Sequence, residues 1–243
     1  MDKTRVLSGN VLKIIGAIFM VIDHIGVMFF TAKAIFRILG RLSFPIFAFL
    51  IAEGARYTKN KVKYLGLLLG FSLVIQLVYY VYDNSLRLCI LVTFSLSVIL
   101  IYALQYFKKQ IFREKFSYLT LLFSAFIFLG LATGIYFFCE YFFVDYSFAG
   151  VLVPVIVSTF HFDEGVTGKI KKLDNHYVSL VMLIIGLLIL FLSLKWYQLY
   201  ALLSIPILFF YSGKRGKYKM KYFFYFFYPL HLLALEGIRL LLI

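Results

Sequence analysis

The sequence predicts an all-α, polytopic membrane helix bundle of about nine transmembrane helices, and three observations carry that prediction. Hydrophobic residues make up 63% of the chain and charged residues only 15%, and the mean hydropathy is +0.94, far outside the range of soluble domains. The apolar residues gather into runs close to the roughly 20 needed to cross a hydrocarbon core. Most of the 25 Lys and Arg fall in alternate gaps between those runs, so the positive-inside rule predicts an N-in, C-out arrangement. Residues 1–243 are expected to form one polytopic domain of a multi-pass cell-membrane protein.

The first run, 11–30, contains "FMVIDHIGVMFF", with Asp23 and His24 side by side in membrane interior. It lacks a small-x-small cleavage site and is followed by many more spans, so a cleavable signal peptide is not expected. An ionisable group at this depth costs roughly 2.5–3.5 kcal/mol on insertion scales and normally turns towards other helices or a wet cavity. Consecutive helical residues point about 100° apart. One of the two is therefore expected to face a site while the other braces it.

The second run, 34–54, carries Arg37 and Arg41 four residues apart on one face, near the outer end. A short hairpin through "TAK" brings either of them within reach of Asp23. Pro45 is expected to free the backbone carbonyl of Arg41 at depth, and Glu53, Arg56 and Tyr57 mark the inner end. Glu53 and Arg56 also read as an interfacial pair, and Arg37 as a snorkelling side chain.

The third to fifth runs, 62–81, 88–107 and 116–138, are apolar with few polar residues, and the inner gaps around them hold Lys59, Lys61, Lys63, Lys108, Lys109, Arg113 and Lys115. The sixth, 147–161, "SFAGVLVPVIVSTF", is short and contains Pro154, so it is expected to be tilted, broken or partly inserted. His161 and His176 flank the next inner loop, with "FDEG" between them, and are expected to be solvated. The seventh and eighth runs, 177–194 and 196–212, meet in a tight turn at Lys195 and Trp196. In the ninth, 220–242, His231 lies near the midplane, Tyr228 precedes it by three residues on nearly the same face, and Pro229 opens the helix beside them.

The net charge of +14 is mostly topology: it is spread over separate inner segments, from Lys3 to Lys219 and Lys221, without a nucleic-acid motif, so no nucleic-acid partner is expected. No metal is expected, because two separated histidines and one aspartate give no ligand spacing. Cys89 and Cys139 are expected to be buried free thiols.

Two histidines, an aspartate and an arginine pair inside a membrane suit acyl transfer. A neutral imidazole can take a proton from an amine or hydroxyl, and Arg or Tyr can stabilise an oxyanion. The same set suits a proton relay in a transporter, and a purely structural membrane partner is a third reading.

The segments "LKIIGAIFMVIDHIG", "FRILGRLSFPIFAFLIAEGARYTKN", "DYSFAGVLVPV" and "KYFFYFFYPLHLLAL", in chain order from residue 12 to about residue 240, resemble the TraX family. Asn84 and Thr93 stand where that family has polar positions. The family is linked to N-terminal acetylation of conjugative pilin and is similar to membrane acyltransferases that draw on cytoplasmic acetyl-CoA. The resemblance implies an acetyltransferase, acting on amino groups in preference to hydroxyls, with Asp23, His24, Arg41, Glu53, Tyr228 and His231 at its motif positions. His24, Asp23, His231 and Arg41 are then the expected catalytic set, and Arg37, Glu53 and Tyr228 the expected substrate-binding set. Arg56, Lys59 and Lys61 are expected to hold the phosphates of acetyl-CoA. The acceptor is a peptide, glycan or lipid. The alternative is a proton-coupled transporter or a flippase for a lipid-linked substrate.

Overall fold

A computed structural model describes residues 5–30, 33–83, 87–113, 116–162, 166, 168–218 and 220–242. Lys3, Asn84, Lys115, Lys219, residues 163–165 and the first two residues of "TAK" lie outside them, as do the side chains of Asp83 and Lys221. The chain is a polytopic membrane helix bundle. Among the described residues ten α-helices follow in order: α1 (Gly9–Phe29), α2 (Ala34–Gly40), α3 (Ser43–Tyr57), α4 (Lys61–Asp83), α5 (Ile90–Ile111), α6 (Tyr118–Tyr141), α7 (Ser147–Val157), α8 (His176–Ser193), α9 (Ile205–Phe209) and α10 (Lys221–Leu242). Seven spans, α2 and α3 counting as one, are long and apolar enough to cross a membrane; Ser147–Phe160 and Trp196–Phe209 are shorter apolar passes. Helices answer the membrane's demand that backbone groups be paired within the segment.

The second pass runs from Ala34 to Tyr57 as one apolar span, as its composition predicts. It tightens locally at Arg41 and Leu42, both with helical backbone angles, where the Arg41 amide bonds back to Arg37 and Ile38 and the Leu42 amide to Leu39. Pro45 falls in the first turn of α3, where a missing N–H costs little. Ser43 Oγ donates to the Gly16 carbonyl of α1 at 2.9 Å.

In the sixth pass α7 is short and gives way to a 3-10 turn over Ser158–Phe160, and it is well enclosed, in contact with α3, α5, α6 and α8. Val151, Val153 and Val157 are fully buried, and Gly186 of α8 packs against Val153. Its small and branched side chains let neighbours approach closely, which is how helices associate in lipid. The outer faces of α4, α6 and α10 expose Leu73, Leu77, Leu122, Phe126, Leu230 and Leu241, as a lipid-facing surface requires.

The eighth pass opens as a 3-10 helix over Trp196–Ser204 before α9. At about 2.0 Å rise per residue this winding carries a short segment deeper than an α-helix of equal length. Cys89 and Cys139 are buried and free.

Most of the described basic residues gather at one end of the bundle. There Arg56 meets Asp174, Lys61 meets Gln105, and Lys108 caps the chain after α7 through the carbonyls of Ser158, Thr159 and His161 at 3.0, 3.1 and 2.7 Å. The start of α1 is held at this end by Gly9 and Asn10 amides bonded to Lys214 and Arg215 carbonyls.

Candidate functional site

A cavity of 1470 Å³ runs between α1, α3, α10 and the 3-10 segment. Asn10, Lys13, Thr58 and Arg215 line it at the basic end, and Arg37, Arg87, Asp145 and Lys195 line it at the opposite end. Asp23, His24, Arg41, Glu53 and Tyr228 line it in between.

Asp23 takes both arginines. Arg37 Nη1 donates to its two oxygens at 3.0 and 3.2 Å, and Arg41 Nη2 to Oδ2 at 3.1 Å. Arg37 and Arg41, four residues apart on one helical face, both turn to α1, and Gly40 abuts the Asp23 carboxylate so closely that a Cβ there would collide with it. Arg41 also donates to Tyr146 Oη at 3.2 Å and lies 5.5 Å from the centre of the Tyr197 ring. One carboxylate against two guanidiniums leaves the cluster with an excess positive charge.

About one helical step away, His24 reaches α10, and its Nδ1 lies 3.1 Å from His231 Nε2. His231 Nδ1 lies 3.0 Å from the Phe227 carbonyl, which can only accept. With both rings neutral, the Phe227 contact sets His231 to donate from Nδ1 and accept at Nε2, so His24 donates from Nδ1 and keeps the lone pair on Nε2; a His24 ring N–H also meets the Met20 carbonyl. His24 lines the cavity, whereas His231 stands behind it, 7% exposed and stacked on Phe227. Tyr228 packs edge-on to His231 and bonds Tyr79.

The residues expected to hold a phosphate-bearing donor are placed elsewhere. Arg56 Nη1 and Nη2 grip Asp174 at 2.7 and 2.8 Å, Lys61 reaches Gln105 and the Tyr102 ring, Lys59 is exposed, and none of the three lines the cavity. Helical spacing after α3 turns them towards α5 and the loop before α8. Basic residues at the cavity mouth are Lys13 and Arg215. Glu53 lines the cavity, bonds Tyr211 and lies 3.8 Å from His161, while Arg56 makes its close ion pair with Asp174.

His161 is buried, not solvated, and its Nε2 meets Ser179 Oγ at 3.2 Å. Burial, reinforced by Arg56, pushes its imidazole down to about 3. For Asp174, burial pushes the carboxyl up, but the Lys171 hydrogen bond and the Arg56 charge outweigh it and hold the group below its ordinary value. Among the described residues no cluster of His, Cys, Asp and Glu could hold a metal ion.

Tyr146 and Asp145 were not singled out as site residues by the sequence reading, although both stand in "DYSFAGVLVPV". Thr93 Oγ1 donates to the Asp145 carbonyl at 2.6 Å, and Arg87 lies 3.5 Å from its carboxylate. The polar positions just ahead of a short apolar pass were the available signal.

Comparison with known proteins agrees with the motif reading. The family described as TraX protein matches residues 8–239. A protein of Dichelobacter nodosus named probable fimbrial assembly protein FimC, serogroup H1, is 34% identical over 80 residues, 31% of this chain and 33% of that protein. The match thus spans about a third of that relative's length. No solved structure matches.

Proposed function

This chain belongs to the TraX family, and on that premise we propose that it is a membrane-embedded acetyltransferase. It moves acetyl from cytoplasmic acetyl-CoA to an amino group, or a hydroxyl, of a peptide, glycan or lipid acceptor at the cell membrane. The observation that carries this reading is the hydrogen-bond chain from Phe227 through His231 to His24, which leaves a lone pair on a cavity-lining imidazole.

In this reading the basic end of the bundle faces the cytoplasm. Lys13 and Arg215 would meet the phosphates of the donor, and the cavity is roomy enough for a pantetheine arm to reach His24. His24 Nε2 takes the proton of the acceptor nitrogen as that nitrogen attacks the thioester carbon. The C–N bond forms, the C–S bond breaks, and His24 returns the proton to the departing thiolate. The excess positive charge of Arg37 and Arg41 over Asp23 favours the oxyanion that forms on the way. The fimbrial relative's name suggests a peptide of a surface fibre as acceptor.

Purified protein in nanodiscs should bind acetyl-CoA by calorimetry and release thiol from it when a primary amine is supplied. His24→Ala should bind acetyl-CoA normally and release thiol at least about 100-fold more slowly, the scale of losing a general base. Near-normal release would sink the assignment. If no CoA species binds at roughly millimolar concentration while ion or substrate flux appears in liposomes, transport is the better reading.

A further inference from the structure

We propose that Tyr146 is a catalytic residue of the acyl transfer, donating its phenol O–H to the thioester oxygen as negative charge develops there. The proposal rests on the acyl-transfer reading and adds to it the identity of a neutral donor. Tyr146 lines the cavity and accepts a hydrogen bond from Arg41 Nη1 at 3.2 Å. A guanidinium only donates, so this bond occupies a phenol lone pair and leaves the phenol hydrogen to point elsewhere. The chain Asp23, Arg41, Tyr146 therefore ends in an O–H polarised by a buried cation.

The backbone around Tyr146 is held in a costly shape. Phe143, Tyr146 and Ser147 have φ of 49°, 61° and 50°, in the left-handed region that side-chain-bearing residues seldom occupy. Strain of this kind persists only where surroundings impose it, and it gathers at functional sites. The surroundings are explicit here. The Asp145 amide bonds the Leu88 carbonyl at 2.9 Å, and Thr93 holds the Asp145 carbonyl at 2.6 Å. The Tyr146 ring stacks on Phe44 with centroids 4.2 Å apart and 15° between planes, while Gly150 lies against Tyr146 where any Cβ would collide. Contacts from α3, α5, the turn before α5 and its own helix α7 thus aim one phenol. Burial pushes that phenol up to about 12, so it keeps its proton at neutral pH.

At the carbonyl, the acceptor's lone pair makes the C–N bond and the C=O π pair moves onto oxygen. The Tyr146 O–H and the Arg41 charge stabilise that oxygen without giving up a proton. When the π bond re-forms the C–S pair leaves with sulfur, which takes the proton carried by His24. No further reactant is needed.

Tyr146→Phe keeps the ring and its stacking and removes only the hydroxyl. In the nanodisc thiol-release assay kcat should fall about 100-fold, the usual scale for one oxyanion donor, with KM for acetyl-CoA within about twofold. Binding of a thioether analogue of acetyl-CoA that lacks the carbonyl should be unchanged, whereas a ketone analogue that keeps it should bind more weakly. An unchanged kcat in Tyr146→Phe, alongside an inactive His24→Ala, would overturn the role of Tyr146 and leave the acyl-transfer reading intact. Full activity in both variants would overturn the reading beneath it. If Tyr146→Phe does not fold, a more acidic fluorotyrosine placed at 146 carries the test. The alkaline limb of kcat should then move to lower pH, and an unmoved limb would show that the phenol only props the fold.

Discussion

Asp23 and Asp174 are each a carboxylate gripped by two cations, Arg37 and Arg41 in one case and Arg56 and Lys171 in the other. They differ in what surrounds them. Asp174 has its side chain 1% exposed in a loop, receives the Phe162 amide as well, and does not line the central cavity. Asp23 is 17% exposed inside a span, and its arginines reach on to Tyr146 and Tyr197 across a cavity that joins both ends of the bundle. The same ion triad therefore serves as a clamp where the chain turns back and as the electrostatic frame of a site where helices leave space. Charge composition alone does not separate the two uses; the neighbouring cavity does.

Removing each carboxylate should break the resemblance. Asp23→Ala leaves two guanidiniums inside the membrane without their counter-charge, and its cost should be about 3–5 kcal/mol of stability, with loss of thiol release in whatever fraction folds. Asp174→Ala should cost less, about 1–3 kcal/mol, because Arg56 and Lys171 are close enough to water to be solvated. Thiol release per folded molecule should be retained. Melting in detergent and the nanodisc assay give both numbers. Equal loss of activity per folded molecule in the two variants would mean that the clamp belongs to the site.

A smaller effect sharpens the contrast through pH. His161, beside the Asp174 clamp, stays neutral when folded because its imidazole is pushed down to about 3, but titrates near 6.5 once unfolded. The unfolded chain thus binds the extra proton between those values, so stability should fall as pH drops below 6.5, by at most about 1.4 kcal/mol per unit. Asp174, held below 3.8, adds its own loss only when pH falls through that lower range. Comparing melting at pH 7.5 and 5.0 in wild type and His161→Gln isolates the first contribution. A wild-type decline that survives the substitution would assign the acid sensitivity to other groups.

Much of this was legible from residues alone. The passes follow from hydrophobic runs, and the pairing of Asp23 with Arg37 and Arg41 follows from depth, spacing and a short hairpin. His24 and His231 were both expected near mid-membrane, though their contact across 207 positions is a matter of packing that periodicity does not report. The close approach of Gly40 to Asp23 leaves no mark in periodicity, because it is set by how the second pass packs on α1. Arg56, Lys59 and Lys61 look like a phosphate site in sequence. Which face of a helix end meets a cavity depends on neighbours far along the chain, and Lys13 and Arg215, some 200 positions apart, both line this one, whereas Arg56, Lys59 and Lys61 do not. His161 was misjudged for a related reason, since Glu53 and Ser179 come from other helices to enclose it.

In the proposed reaction one passage brings a donor from the basic end to His24 and an acceptor from the opposite end. Sealed vesicles of known orientation test it most directly, with radiolabelled acetyl-CoA supplied on one side and a membrane-impermeant peptide amine on the other. Label should reach the peptide only when acetyl-CoA faces the basic end, and transfer should disappear in His24→Ala. Transfer only with acetyl-CoA at the opposite end, or undiminished transfer in His24→Ala, would contradict the account.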